Sequence, residues 1–204
     1  MGDEAADELE ARLQALLHAG ALDQAATQAL ESYGPELYGF LVNVMGGAAD
    51  AAEVFSQTAE DLWRGLPSFG SRCSVRTWMY LLARHAAARY RRSPWNRGGR
   101  TGDSQLDALV AGARSRTEPW LRTDVHDRWQ ELRESLDPDD RALLVLRVDR
   151  DLSWSDVARV MLGSDEPDVS ELARETTRLR KRFQLLKEEL RKRARAAGLI
   201  AEEP

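Results

Sequence analysis

The side chains best equipped for chemistry in this sequence are cationic, and they crowd into two stretches. From Arg84 to Arg100 there are six arginines and no acid. From Arg174 to Arg195 ten basic residues face three acids, Glu175, Glu188 and Glu189. Guanidinium groups hold phosphate oxygens and, in a duplex groove, grip the edge of guanine through two hydrogen bonds. The formal net charge of the chain is −5, so these are local footprints for a polyanion and not a property of the whole surface. Taken singly, each cluster also fits a solvated helix face. The acids lie elsewhere: from Met1 to Asp61 one base, Arg12, stands against twelve carboxylates.

Bond-making chemistry finds no such support. There is no phosphate loop, nucleophile elbow or paired acid–histidine arrangement. The histidines His18, His85 and His126 are scattered, and Cys73 is the single cysteine, so neither a metal-ligand spacing nor an internal disulfide is expected. No catalytic residue, cofactor, metal or small-molecule substrate is therefore assigned. Hydrophobic residues at 43% and charged residues at 31% match a soluble globular chain. No apolar run approaches the roughly 20 residues that cross a bilayer, and the acidic start lacks a secretory signal. A cytoplasmic protein without a membrane partner is expected.

Helices must position the arginines, because apolar residues recur with helical period and no alternating strand appears. Leu9, Leu13, Leu16 and Leu17 predict a first helix ending near Gly20. A short helix over Ala21 to Ser32 and another marked by Leu37, Phe40, Leu41 and Val44 follow, the latter stopping at Gly46-Gly47. Asp50 reads as the cap of a helix through Val54, Phe55, Thr58 and Leu62 to Gly65. After a loop from Pro67 to Ser74, the helix carrying Trp78, Leu81, Leu82 and His85 runs to Arg92 and stops before Pro94. Residues 93–123, with Arg97-Gly98-Gly99-Arg100 and Pro119, read as a flexible linker, Leu106, Leu109 and Val110 being the one helical candidate within it.

The rear half regains helical period at Val125, Trp129, Leu132 and Leu136. Asp137-Pro138-Asp139-Asp140 is a helix start, with Asp137 as cap and acids near the positive end of the dipole. Ser153-Trp154-Ser155-Asp156 fits a capping box, and Gly163 ends the helix it begins. A last helix, Asp168 to Ala196, places Val169, Leu172, Thr176, Leu179, Phe183, Leu186 and Leu190 on one stripe, packed within its own domain, with Arg178, Arg180, Lys181 and Arg182 toward the other side.

Two stretches together resemble the extracytoplasmic-function sigma factors, the small two-domain branch of the primary sigma family. The first, Tyr33 to Arg92, includes Asp50-Ala51-Ala52-Glu53-Val54-Phe55-Ser56-Gln57, which looks like the family's acidic core-binding helix. It closes on Arg76-Thr77-Trp78-Met79-Tyr80-Leu81-Leu82-Ala83-Arg84-His85, similar to its promoter-recognition helix. The second, Leu136 to Leu190, includes Leu152-Ser153-Trp154-Ser155-Asp156-Val157-Ala158 and Leu179-Arg180-Lys181-Arg182-Phe183, similar to the family's helix-turn-helix. Departures are Ser56-Gln57, where the family usually carries glutamine then glutamate, His85 for asparagine, Arg89 for aspartate, and a longer turn at Gly163 to Pro167.

The resemblance implies an all-α chain of two small helical domains. Residues 1–32 would be an acidic N-terminal extension, 33–92 a sigma region-two-like domain, 93–123 the linker and 124–204 a region-four-like helix-turn-helix domain. It implies a bacterial, non-enzymatic transcription initiation factor that binds core RNA polymerase and promoter DNA, with an anti-sigma factor as a further candidate partner. Asp50, Glu53, Val54, Phe55, Gln57 and Asp61 would contact polymerase. Ser71, Arg72, Ser74, Trp78, Arg84, His85, Arg91 and Arg92 would contact the melted minus-ten element. Thr176, Thr177, Arg178, Arg180, Lys181 and Arg182 would contact the minus-thirty-five element. Trp63 and Trp78 read more readily as core residues, and the acidic N-terminal helix is a candidate mask over the basic clusters. The rival readings are a dimeric helix-turn-helix regulator of duplex DNA and a helical adaptor that binds no DNA.

Overall fold

The computed structural model describes residues 3–92, 111–112, 132 and 135–198. Every regular element among them is a helix, as the periodicity predicts. The front segment carries α1 (Asp3–His18), α2 (Leu22–Met45), α3 (Ala48–Gly65), a 3-10 turn (Leu66–Ser68) and α4 (Val75–Arg92). The rear segment carries α5 (Pro138–Leu144), a π-helical turn (Val145–Asp149), α6 (Trp154–Leu162) and α7 (Val169–Ala196). Most of the expected linker, its short helix, and Val125 and Trp129 lie outside the described residues.

Two helices expected before and after Ser32 are one. Pro35 lies inside α2, where a proline removes a hydrogen bond and costs about 3 kcal/mol. The apolar stripe runs through it unbroken: Leu30, Tyr33, Leu37 and Phe40 are all buried, and their burial holds the helix together across the Gly34-Pro35 step. Asp50 is not a cap. Helix α3 begins earlier, after Gly47 in extended backbone with no capping side chain, and Asp50 in its first turn instead accepts the Tyr90 hydroxyl at 2.6 Å.

The rear caps follow the sequence closely. The Asp137 carboxylate accepts the Asp139 amide at 2.8 Å with Pro138 in the first turn. Ser153 Oγ accepts the Asp156 amide at 3.1 Å and donates to the Asp156 carboxylate at 2.5 Å. Gly163 closes α6 in the left-handed region, φ 74°, and Asp168 caps α7. Leu179, Phe183, Leu186, Leu190 and Ala194 are the buried stripe of α7, whereas Val169 at its start is 84% exposed.

The N-terminal extension is not an appendage. Leu13 of α1 is fully buried, and Ala25, Ala26, Ala29 and Leu30 extend the same core. Helix α1 packs on α2 and reaches the start of α4, where Glu10 Oε1 accepts the Val75 amide at 2.7 Å and Gln14 Oε1 accepts the Ser71 hydroxyl at 2.8 Å. It therefore covers the loop before α4.

Front and rear segments do not keep separate cores. Helix α6 packs along α4 and α5 along α2, so Leu143, Leu146, Val157 and Val160 join Phe40, Tyr80 and Ala83 in one continuous buried cluster.

Candidate nucleic-acid interface

Helix α4 begins at Ser74, whose Oγ accepts the Thr77 amide at 3.0 Å, while Glu10 satisfies a second free amide of the first turn. Ser74 is thus a cap, and its hydroxyl is turned into the protein. Ser71, one residue before Arg72, has a positive φ of 52° and donates to Gln14. Arg72 pairs with Glu166 of the turn before α7.

Trp78 is core. Only 7% exposed, it stacks on Phe69 with ring centroids 4.6 Å apart and lies against Gly65, where an added Cβ would sit 2.9 Å from its ring. The expectation that it could stack on a base is corrected: the ring is buried and one face is taken by Phe69. On the same helix Arg84 donates to Asp139 at 3.0 Å and Arg91 to the Val44 carbonyl at 3.2 Å. Burial pulls the Arg91 guanidinium below its ordinary pKa, with Asp139 opposing. His85 is half-buried against Gly163, and its pKa is lowered by burial. Arg92, at the end of α4, is exposed. The rear segment therefore covers the face of α4 that bears Arg84 and His85, while Arg91 stays exposed.

Helix α3 divides its residues by burial. Val54 and Phe55 are 0% and 1% exposed, Phe55 meeting Tyr38 edge-on at 5.9 Å. Neither can be a docking contact without unpacking the core, which corrects that expectation. Glu53 and Gln57 are partly exposed. Asp61 pairs with Arg89, and Trp63 is half-buried with its indole N–H on Asp23 at 2.9 Å. What α3 offers a partner is polar.

Helix α7 presents Thr177, Arg178, Arg180 and Lys181 to solvent, with Thr176 half-buried beside them. Thr177 donates back to the Ala173 carbonyl at 2.9 Å, Arg178 pairs with Glu175 at 2.6 Å, and Arg180 lies over the Trp154 ring at 5.8 Å. Arg182 is not on this side. Three residues after buried Leu179 and four before buried Leu186, it leans toward α5 and donates to Asp140 at 2.5 Å, with Asp137 at 3.7 Å.

The residues sequence reasoning missed are acids. Asp137, Asp139 and Asp140 read as helix-start chemistry, yet all three also pair with arginines. The available signal was their number, since one aspartate suffices for a cap. Among the described residues no group of three His, Cys, Asp or Glu side chains could hold a metal ion, and no helix is long and apolar enough to cross a membrane.

Among the described residues the site is an all-helical body with acids on its third helix and arginines on its fourth, and the comparisons give that arrangement a class. Residues 29–97 match the Sigma-70 region 2 family. The chain is also 28% identical over 140 residues to the RNA polymerase sigma-H factor of Pseudomonas aeruginosa, covering 63% of this chain and 70% of that protein. The chain is thus similar to sigma-70 family proteins, most specifically over its region 2 stretch.

Proposed function

We propose that the protein is a non-enzymatic, cytoplasmic sigma factor of the extracytoplasmic-function type, which docks on core RNA polymerase, selects promoters and helps melt them. The observation that carries this is the region 2 match, because it falls on α2 to α4, the helices that bear the partly exposed acids of α3 and the arginines of α4. The similarity to the Pseudomonas relative covers more of the chain than region 2 alone, which supports a second, region-four-like part.

In this reading residues 33–92 form the first domain, 93–123 the connection and 124–204 the second. Asp50, Glu53, Gln57 and Asp61 form a charged docking rim for polymerase, where opposite charge speeds encounter. Arg72, Arg84, Arg91 and Arg92 hold the backbone of a melted strand, with Ser71 and His85 near its bases. Helix α7 enters a major groove with Thr176, Thr177, Arg178, Arg180 and Lys181, and Arg182 joins them once free of Asp140. An anti-sigma factor is a further partner in this scheme.

The test is initiation by core polymerase plus this protein on a pool of random upstream sequences, with transcript 5′ ends sequenced. Two short motifs at fixed spacing upstream of the start sites are expected. A protein that binds duplex DNA alone but gives core no selectivity is instead a dimeric helix-turn-helix regulator.

A further inference from the structure

We propose that the acidic turn Asp137 to Asp140 is an internal substitute for DNA phosphates, latching the free protein shut by holding one arginine from each DNA-facing helix. The proposal rests on the reading of α4 and α7 as DNA-binding helices and adds how their access is controlled. Asp139 accepts from Arg84 of α4 at 3.0 Å, and Asp140 accepts from Arg182 of α7 at 2.5 Å. These carboxylates are adjacent in sequence, yet their partners lie on two different helices, one in each segment. One short turn thus holds an arginine from each helix at once.

The rest of the contact repeats the pattern. Glu166 pairs with Arg72 of the loop before α4. The closed arrangement also packs α6 over the α4 face carrying His85, so close that a Cβ at Gly163 would lie 2.7 Å from its Nε2. A strand cannot engage Arg84 or His85 while α5 and α6 remain there, whereas Arg91 stays exposed.

The contact is built to part. Arg76 bonds the Arg150 carbonyl at 3.1 Å and Arg141 bonds the Asn43 carbonyl at 3.1 Å, joining the two segments. The Nε atoms of Arg141 and Arg150 are nevertheless buried with no hydrogen-bond partner among the described residues. Buried donors left unpaired weaken a contact, and opening hydrates them. The Arg84–Asp139 and Arg72–Glu166 pairs are partly exposed, so salt and a competing polyanion can displace them. Closure then taxes apparent DNA affinity by the fraction of molecules that are open.

The test compares the full chain with its Asp139→Asn, Asp140→Asn variant, Asp137 being left to cap α5. Fluorophores at Glu31→Cys and Lys192→Cys in a Cys73→Ser background report the separation of the segments by energy transfer. Fluorescence anisotropy with a labelled duplex of mixed sequence reports DNA binding. The variant should show a longer separation and about tenfold tighter duplex binding at fixed salt. If circular dichroism shows that variant unfolded, Glu166→Gln, on an exposed turn, should give the same changes to a smaller degree. Unchanged separation in a folded variant overturns the latch. A longer separation without tighter binding overturns the claim that the latch masks DNA surfaces. In that event promoter-selective initiation with core polymerase still reports separately on the sigma assignment, and its absence too shows that the fault lies in that assignment.

Discussion

Single residues in this protein show how burial decides between chemistry and packing. Cys73 is the simplest instance: burial pushes its thiol up to about 12, with Arg159 opposing. At pH 8 almost no thiolate exists, so iodoacetamide should label native Cys73 at least about a hundredfold more slowly than the urea-unfolded chain. Mass spectrometry of timed samples measures this, and equal rates would contradict the buried placement. Trp78 sits between Phe69 and Gly65. Trp78→Ala should cost about 3–5 kcal/mol in urea unfolding, the range of a core aromatic. A surface tryptophan kept for base stacking would cost little, so that melt separates the two roles. Phe55 and Val54 teach the same lesson in α3, where the apolar residues that marked the helix in sequence are the ones a partner cannot touch.

At the scale of elements, punctuation was legible wherever one residue could settle it. Asp137, Ser153, Gly163 and Asp168 fix the ends of α5, α6 and α7 through local bonds that need no tertiary context. Ser153→Ala should therefore cost about 1 kcal/mol, read as a lower midpoint in chemical unfolding. Gly34-Pro35 misled because its local cost is outweighed by burial on both sides, which only the packed structure reveals. The π-helical turn Val145–Asp149 had no signal, since its residues fit an ordinary helix equally well. Ser74 looked like a base contact because serine before a helix fits both roles, and the Thr77 amide decided for the cap. On α3, Glu53 is partly exposed and has neighbours to spare, so Glu53→Lys should weaken association with core polymerase roughly tenfold while the thermal midpoint stays put. Co-sedimentation with core enzyme at two salt concentrations measures it; undiminished affinity would move the docking surface off α3.

For the whole molecule, charge marked two basic stretches but could not predict that the segments bearing them would pack together. Nothing in the composition distinguishes acids that face solvent from acids that face arginines, and Asp139 and Glu166 do the latter. His85 offers a handle on that packing. Burial lowers its pKa, the Gly163 backbone bond raises it, Arg89 and Arg84 lower it, and Asp61 raises it, for a net fall below 6.5. The unfolded or opened chain then takes up the proton more readily. Stability and closure should be full well above pH 6.5 and fall as the pH drops through it. Midpoints in urea at pH 7.5 and 5.5 check the sign, with His85→Gln expected to flatten the difference. A steeper fall in the variant would assign the effect to another group.

The bond from Glu10 to the Val75 amide has a bearing on how the chain is made. The first helix leaves the ribosome early, yet its carboxylate completes a helix start that is synthesised much later. Until that partner emerges, α1 has a half-finished niche in which to lodge, and until α1 lodges there, the fourth helix lacks its outermost stitch. Shortening the leading segment, or burdening it with a bulky fusion, would thus disturb the birth of a distant helix before any question of binding arises.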